Sequence, residues 1–513
     1  MTSSQAGGGR PTSGRVLSWT HVLLVGAAAA GITLRAAVQV SSLGVPDGDE
    51  AVWGLMARHL LHGEFSTFFW SQCYGGTQEV FLTAALFRVF GTSMLAARVV
   101  PMALVAVAAV LVWRIGRRTI GEPAATFAGA LLWVWPPYLI WKSDRVHGFY
   151  GSGLVLTALV LLLVLRLLER YSSRDSALLG LVVGLAWWQT PQVVPIALPA
   201  LAYLAVKRRT EIHRAACAAF PPAVLGALPW LISNARHHWW SFQIDSGDTP
   251  YPLRLRGFFS ATLPMAVGLR GPFTSHWLLG PAVSGVVYAI LLGVIGVVAW
   301  RKRAQNVALL AVVAAAYPFL YAISQATWLV DEPRYVVLLL PVLVLLLAQG
   351  LTSLGRGAVC LMGATALSVL VLVQLASSPE YDRRADGLDI PRTFSPLVAA
   401  LDERRLDRVF ADYWVAYRLD FQTHERVVAA EATLASLSLQ SNGRVLPRPP
   451  NGPDESRYAP YDAEVRRAAN PAYVLLAGTA EDARARPLLE RAGYARDVVG
   501  GFAIYEQAVV IAG

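Results

Sequence analysis

The chain has 513 residues, 55% of them hydrophobic and only 15% charged, with 16 Trp and a mean hydropathy of +0.46. Soluble domains carry about 25% charged residues, so the composition excludes an ordinary soluble protein and points to one embedded in a membrane. The net charge of +10 would suit nucleic acid, but Arg and Lys fall between apolar runs and form no basic face, so no nucleic-acid partner is expected.

In chain order, runs of roughly 17–25 apolar residues predict about eleven spans, near 16–38, 92–113, 123–141, 148–168, 177–190, 192–206, 215–233, 278–300, 306–323, 335–353 and 357–376. The first, preceded by Arg10 and Arg15, resembles a signal peptide in outline; with further spans behind it, it serves as a first anchor after a cytoplasmic tail, 1–15. The pair at 177–206 is short and interrupted by Trp187, Trp188, Pro191 and Pro195, as in a bent hairpin.

Basic clusters follow alternate spans: Arg114, Arg117 and Arg118; Arg166, Arg170 and Arg174; Lys207, Arg208 and Arg209; Arg301, Lys302 and Arg303. The positive-inside rule makes their side, shared with the N-terminus, cytoplasmic. Glu169 and Asp175 on that side read as solvated charges. The connections at about 39–91, 142–147, 234–277 and 324–334, and the tail after 377, are then extracytoplasmic. The expected protein is a multi-pass component of the plasma (inner) membrane.

The first outer connection carries most of the chemistry. After "PDGDE" comes "AVWGLMARHLLHG", in which Val52, Leu55, Met56 and Leu60 recur at helical spacing while Arg58, His59 and His62 take other faces. This predicts an amphipathic helix lying at the membrane interface, with Asp49 as N-cap, Glu50 in the first turn and Asp47 uncommitted in the turn before. Asp is a preferred N-cap and needs no function there. Glu79, however, opens a second helix after "FFWSQCYGGTQ". Two acids at helix N-termini in one outer loop are favoured as ionised carboxylates, the state a general base requires.

Further along, "IWKSDRVHGFY" places Lys142, Asp144, Arg145 and His147 in one short turn, where interfacial anchoring is the plain reading. "WLVDEPRYVVLLLP" puts Asp331, Glu332, Arg334 and Tyr335 at the mouth of another span. Cations at such mouths suit a phosphate at headgroup depth. His237 and His238 are adjacent and lack the i, i+4 spacing of a helical metal pair. Cys73, Cys217 and Cys360 are far apart and give no disulfide framework. No Walker A loop or dinucleotide fingerprint occurs.

The tail, about 377–513, is charged, with strand-like runs "RVFADYWVAY", "ERVVAA", "AYVLLAG" and "GGFAIYEQ", a helix in "EDARARPLLERAGY", and a loop over 441–461. It predicts a small α/β domain outside the membrane.

These features resemble the GT-C membrane glycosyltransferases, specifically family 39-like enzymes such as protein O-mannosyltransferases and the aminoarabinose transferase of lipid A. The residues that carry the resemblance are Asp49-Glu50 opening a helix in the first outer loop, Glu79 about thirty residues on, "FGTSMLAARVVPMAL" leading into a span, and "PRYVVLLLP". It covers roughly 16–376; the tail only resembles the outer domains appended to many members. It implies a polytopic α-helical GT-C-like membrane domain with a C-terminal extracytoplasmic α/β domain, and inverting sugar transfer from a polyprenyl-phosphate donor on the outer face. Asp49 would be the base, Glu79 would orient the acceptor or share its proton, and cations would surround the lipid phosphate. By location these are Lys142, Arg145 and Arg334, with Glu50, Tyr74, His147 and Tyr335 as further substrate contacts. The acceptor is a glycan, a lipid or a protein. Two departures bear on the phosphate ligands and the acceptor class: Val52 or Trp53 stands where aminoarabinose transferases carry a basic residue, and Val80-Phe81 where they carry Lys-Pro. A divalent metal is not indicated, because a lipid monophosphate leaves without a nucleotide diphosphate. The competing readings are a flippase for lipid-linked sugars, opposed by the scarcity of ionisable residues inside the spans, and an inactive relative serving as an assembly module.

Overall fold

A computed structural model of the chain describes residues 19–243, 247–272, 276–301, 307–324, 327, 330, 332–378, 390–440, 444–449 and 456–507. Arg10, Arg15, Lys302, Arg303, Asp331 and part of the 441–461 loop lie outside these residues.

The membrane domain runs through α1 (Trp19–Val40), α2 (Gly48–Leu61), α3 (Gln78–Phe90), α4 (Met94–Thr119), α5 (Glu122–Val134), α6 (Pro137–Ser143), α7 (Tyr150–Glu169), α8 (Ser173–Gln189) and α9 (Val194–Lys207). It continues with α10 (Ile212–Gly226), α11 (Leu228–Arg236), the short α12 (Tyr251–Gly257) and α13 (Leu263–Ala266), then α14 (Pro281–Arg301), α15 (Ala308–Ile323), α16 (Leu340–Ser353) and α17 (Gly357–Ser377). Among the described residues six helices are long and apolar enough to cross a membrane, or eight if each bent pair forms one span. The predicted run 123–141 is such a pair, α5 and α6, bent by 62° where Pro136 and Pro137 supply no backbone N–H. The run 215–233 is another, α10 and α11, bent by 59°. The runs 192–206 and 306–323 are shorter apolar helices, and 177–190 is the larger part of the 17-residue α8. Large apolar side chains stay exposed along these helices, among them Val25, Ile32, Val286, Ile290, Val359 and Val373, as lipid-facing surfaces require. Two charges read as solvated are paired: Asp175 is buried against Arg166 at 2.8 Å, and Glu169 meets Arg118.

The C-terminal domain begins with α18 (Ser395–Glu403) and holds a five-stranded sheet of order β2-β1-β5-β7-β6, formed by β1 (Arg408–Ala411), β2 (Val428–Glu431), β5 (Ala472–Leu476), β6 (Tyr494–Val499) and β7 (Phe502–Gln507). β1 pairs in parallel with β2 and β5, while β7 runs antiparallel to β5 and β6. A ribbon of β3 (Leu437–Leu439) and β4 (Val445–Pro447) stands apart, and α19 (Tyr413–Gln422), α20 (Ala459–Arg467) and α21 (Ala480–Arg491) complete the domain. "RVFADYWVAY", expected as one strand, changes state at Asp412: its carboxylate accepts the N–H of Trp414 at 2.8 Å and caps α19.

α2 also departs from expectation. It is buried almost all round rather than amphipathic at an interface. Its apolar residues Val52, Trp53, Leu55 and Met56 share one core with Phe410, Tyr417 and Phe421 of the C-terminal domain. Its polar face is occupied as well: Arg58 reaches Glu425 at 2.8 Å and His59 reaches Glu425 at 2.7 Å. Gly54 lies against Phe421, where a Cβ would come within 2.4 Å of the ring.

Candidate active site

The N-cap of α2 is Asp47, not Asp49. Its Oδ1 accepts the Glu50 N–H at 3.0 Å, and Asp47 and Asp49 are close enough in sequence that composition alone could not choose between them. Nor is Asp47 uncommitted: its Oδ2 accepts from Arg145 at 2.8 Å and lies 3.1 Å from His147 Nε2. Burial alone would raise this carboxyl, but Arg145 and His147 hold it well below the usual range.

Glu50, in the first turn of α2, is wholly buried in an ion cluster. Arg98 donates through Nε at 2.8 Å and Nη2 at 2.6 Å, the Val146 N–H donates at 3.0 Å, and Arg145 Nε lies at 3.3 Å. Against the burial cost, these guanidinium groups keep the carboxyl below its ordinary value. Arg98 is itself fixed by Gln39 at 2.7 Å and the Gly44 carbonyl at 2.8 Å. Sequence reasoning passed over Arg98, although an Arg within "MLAARVVPMAL" is costly in lipid unless paired.

The turn that delivers Arg145 and His147 packs onto α2. At Gly148, φ is +54° and a Cβ would come within 1.6 Å of the Trp53 indole, so only glycine fits. Burial and the nearby Lys142 lower the His147 pKa against the pull of Asp47, favouring the neutral ring. Its Nδ1 has no hydrogen-bond partner among the described residues.

Glu79 is held differently. One of its oxygens accepts from the Ser152 N–H at 2.8 Å and the Ser152 hydroxyl at 2.7 Å, both at the start of α7. No cation pairs with it among the described residues, and burial raises its carboxyl. Glu79, Lys142, Arg145, His147 and Tyr150 line one pocket. Asp144, from the same turn as Lys142, does not line it; burial pushes that carboxyl up to about 7.

Beside this pocket stand Arg334 and Tyr335. Arg334 donates to the Tyr335 hydroxyl at 3.3 Å and lies 4.0 Å from Glu332, which in turn accepts from Tyr138 at 3.0 Å. Lys142 lies within the field of Glu332, Arg334 and Arg145, and Tyr74 within that of Arg334 and Arg457. Asp49, half-buried in the first turn of α2, takes no part in the Arg98–Arg145 hydrogen bonds. Its Oδ1 accepts the hydroxyl of Tyr413 from the C-terminal domain. Tyr413, Arg457 and Ser152 carry no signal in the sequence, and Glu332 was legible only as an acid at a span mouth. The site thus combines clustered cations, one buried carboxyl with neutral donors, and one half-buried acid held from the C-terminal domain.

The fold is that of a polytopic helical membrane protein of GT-C-like architecture. Residues 79–233 match the family model described as dolichyl-phosphate-mannose-protein mannosyltransferase. The structure is similar to ArnT from Cupriavidus metallidurans in its apo state, with a TM-score of 0.61 at 14% identity, covering 96% of this chain and 98% of that one. The same ArnT bound to undecaprenyl phosphate aligns with a TM-score of 0.60 at 14% identity, over 96% and 99%. The Archaeoglobus fulgidus oligosaccharyltransferase, in complex with Zn and sulfate, aligns with a TM-score of 0.51 at 15% identity, over 94% and 72%. No curated protein matches the sequence significantly. At these identities the likeness is one of fold.

Proposed function

We propose that the chain is an integral-membrane glycosyltransferase that moves a sugar from a polyprenyl-phosphate donor to an acceptor hydroxyl, with inversion, on the extracytoplasmic face of the inner membrane. The observation that carries this reading is the pocket lined by Glu79, Lys142, Arg145 and His147, set beside the acids that open α2. The family match and the undecaprenyl phosphate bound by ArnT support it. Residues 16–376 would form the catalytic membrane domain and 377–513 an outer domain.

In the transfer, the acceptor oxygen attacks the anomeric carbon as the bond from that carbon to the phosphate oxygen breaks, its electron pair leaving with the lipid phosphate. The acceptor proton passes to the Asp49 carboxylate. Lys142, Arg145 and Arg334 balance the negative charge of the departing phosphate. Among the acids opening α2, Asp47 and Glu50 are neutralised by guanidinium groups and make poor bases, which leaves Asp49. Glu79, whose carboxyl burial raises, orients the acceptor or shares its proton. Glu50, by fixing Arg98 and Arg145, shapes the site rather than touching substrate.

The test is binding of undecaprenyl phosphate to the purified protein, followed by release of lipid phosphate from mannosyl and aminoarabinosyl phosphates of a short polyprenol, with water or a simple alcohol supplied as the acceptor hydroxyl. Lys142→Ala and Arg334→Ala should each weaken undecaprenyl phosphate binding about tenfold, as loss of one charge-assisted contact does. Unchanged binding in both would remove the phosphate site from this place. Movement of intact donor between leaflets, with no release of lipid phosphate, would instead mark a flippase.

A further inference from the structure

We infer that the C-terminal domain completes the proposed active site through Tyr413, which positions the Asp49 carboxylate. The inference rests on the transferase reading above and gives the outer domain a part in it.

Tyr413 is the first residue of α19, and its hydroxyl donates to Asp49 across 364 positions of sequence. The approach is built from both sides. On α2, Gly48 lies under the tyrosine: a Cβ there would meet the Tyr413 ring at 2.9 Å and its carbonyl oxygen at 3.0 Å. On the other side Asp412 caps α19 and fixes its first turn, and the Arg457 guanidinium lies 5.5 Å from the Tyr413 ring centre and 5.4 Å from that of Phe69. Arg457 is anchored in turn by its own N–H, which donates to the Tyr417 hydroxyl at 2.7 Å. The ring is thus held between two domains.

Docking of the domains does not depend on this hydrogen bond. Arg58 and His59 hold Glu425, Tyr461 donates to Glu425 at 2.6 Å, and Trp70 stacks on Tyr458 with centroids 4.3 Å apart. Phe69, Trp70 and Phe421 share the buried core of the junction. What Tyr413 adds is local: by donating to Oδ1 it fixes the carboxylate rotamer and leaves Oδ2 to face an acceptor hydroxyl. A base held in one orientation raises the fraction of bound complexes that can react.

Tyr413→Phe removes only the donor. It should lower kcat for lipid phosphate release about 10- to 100-fold, the worth of one hydrogen bond to a charged group. KM for the short-chain donor, binding of undecaprenyl phosphate and the melting temperature should stay within error. Asp49→Asn is assayed beside it, and the double variant should be no slower than Asp49→Asn alone. Full kcat in Tyr413→Phe with loss in Asp49→Asn would overturn this inference and leave the transferase reading standing. Full activity in Asp49→Asn would overturn the assignment of the base, and this inference with it. If Tyr413→Phe melts markedly lower, Arg457→Gln, which loosens the ring without removing its hydroxyl, is read in its place: reduced kcat at unchanged KM supports the inference, and unchanged kcat overturns it.

Discussion

The openings of α2 and α3 look alike in sequence, each an acid in the first turn of a helix in the same outer loop, yet they are held by opposite means. At α2, Asp47 and Glu50 are surrounded by Arg98, Arg145 and His147 and kept charged despite burial. At α3, Glu79 is equally buried but meets neutral donors of Ser152 and the Gly151 backbone, and burial moves it toward the protonated form. A helix N-terminus favours a carboxylate in both places; the charge of the partners decides which form prevails.

The largest effect should come from breaking the α2 cluster. Glu50→Gln leaves Arg98 buried without a counter-charge and Arg145 with Asp47 alone, which costs about 3–5 kcal/mol and should show as a large drop in melting temperature in detergent. A small drop would mean that these guanidinium groups find water or lipid phosphate instead, and the contrast between the two helix openings would lose its basis.

The pH dependence sharpens the same comparison. Asp47 and Glu50 are lowered, so their stabilisation is present above ordinary values of 3.8 and 4.5 and is lost as pH falls through their folded-state values. Glu79 is raised, so its contribution is complete below 4.5 and is lost as pH rises through its folded-state value. Glu79→Gln should therefore match the parent at acid pH and become the more stable of the two as pH rises. A difference of the opposite slope would show that Glu79 is ionised in the folded protein.

The smallest effect is expected at the domain junction. Hydrogen bonds to Glu425 and Glu64 raise His59 above 6.5 against its burial, so its contribution is full below that value and fades as pH rises through the folded-state value. Glu425 and Glu64 are partly solvated, which limits the contribution to about 1 kcal/mol. His59→Gln should flatten the alkaline loss of hydrogen-exchange protection in α2; an unchanged profile would place the pH sensitivity elsewhere.

Much of the membrane domain was legible in the sequence because apolar length and proline breaks are local signals: Pro136 and Pro137 mark the α5–α6 bend as plainly as the apolar run marks the span. The acids of the first outer loop were legible too, but their roles were not. Asp47 and Asp49 both suit an N-cap, and only the path of the Asp47 side chain to Glu50 N–H separates them. α2 read as amphipathic because Glu425 and Phe421, which cover its polar and small faces, lie more than three hundred residues away. Tyr413 and Arg457 were invisible for the same reason, since a contact between domains leaves no periodicity. Arg98 was the one missed residue with a local signal, a lone charge in an apolar helix.

The central claim is that Asp49 accepts the acceptor's proton while the clustered cations hold the lipid phosphate. It is tested most directly by single-turnover release of lipid phosphate from a short polyprenyl-phosphate sugar, comparing the parent with Asp49→Asn at equal donor occupancy. Loss of the base should slow the step by about 10²–10⁴-fold with donor binding and melting temperature unchanged. A variant that turns over at the parent rate would contradict the account.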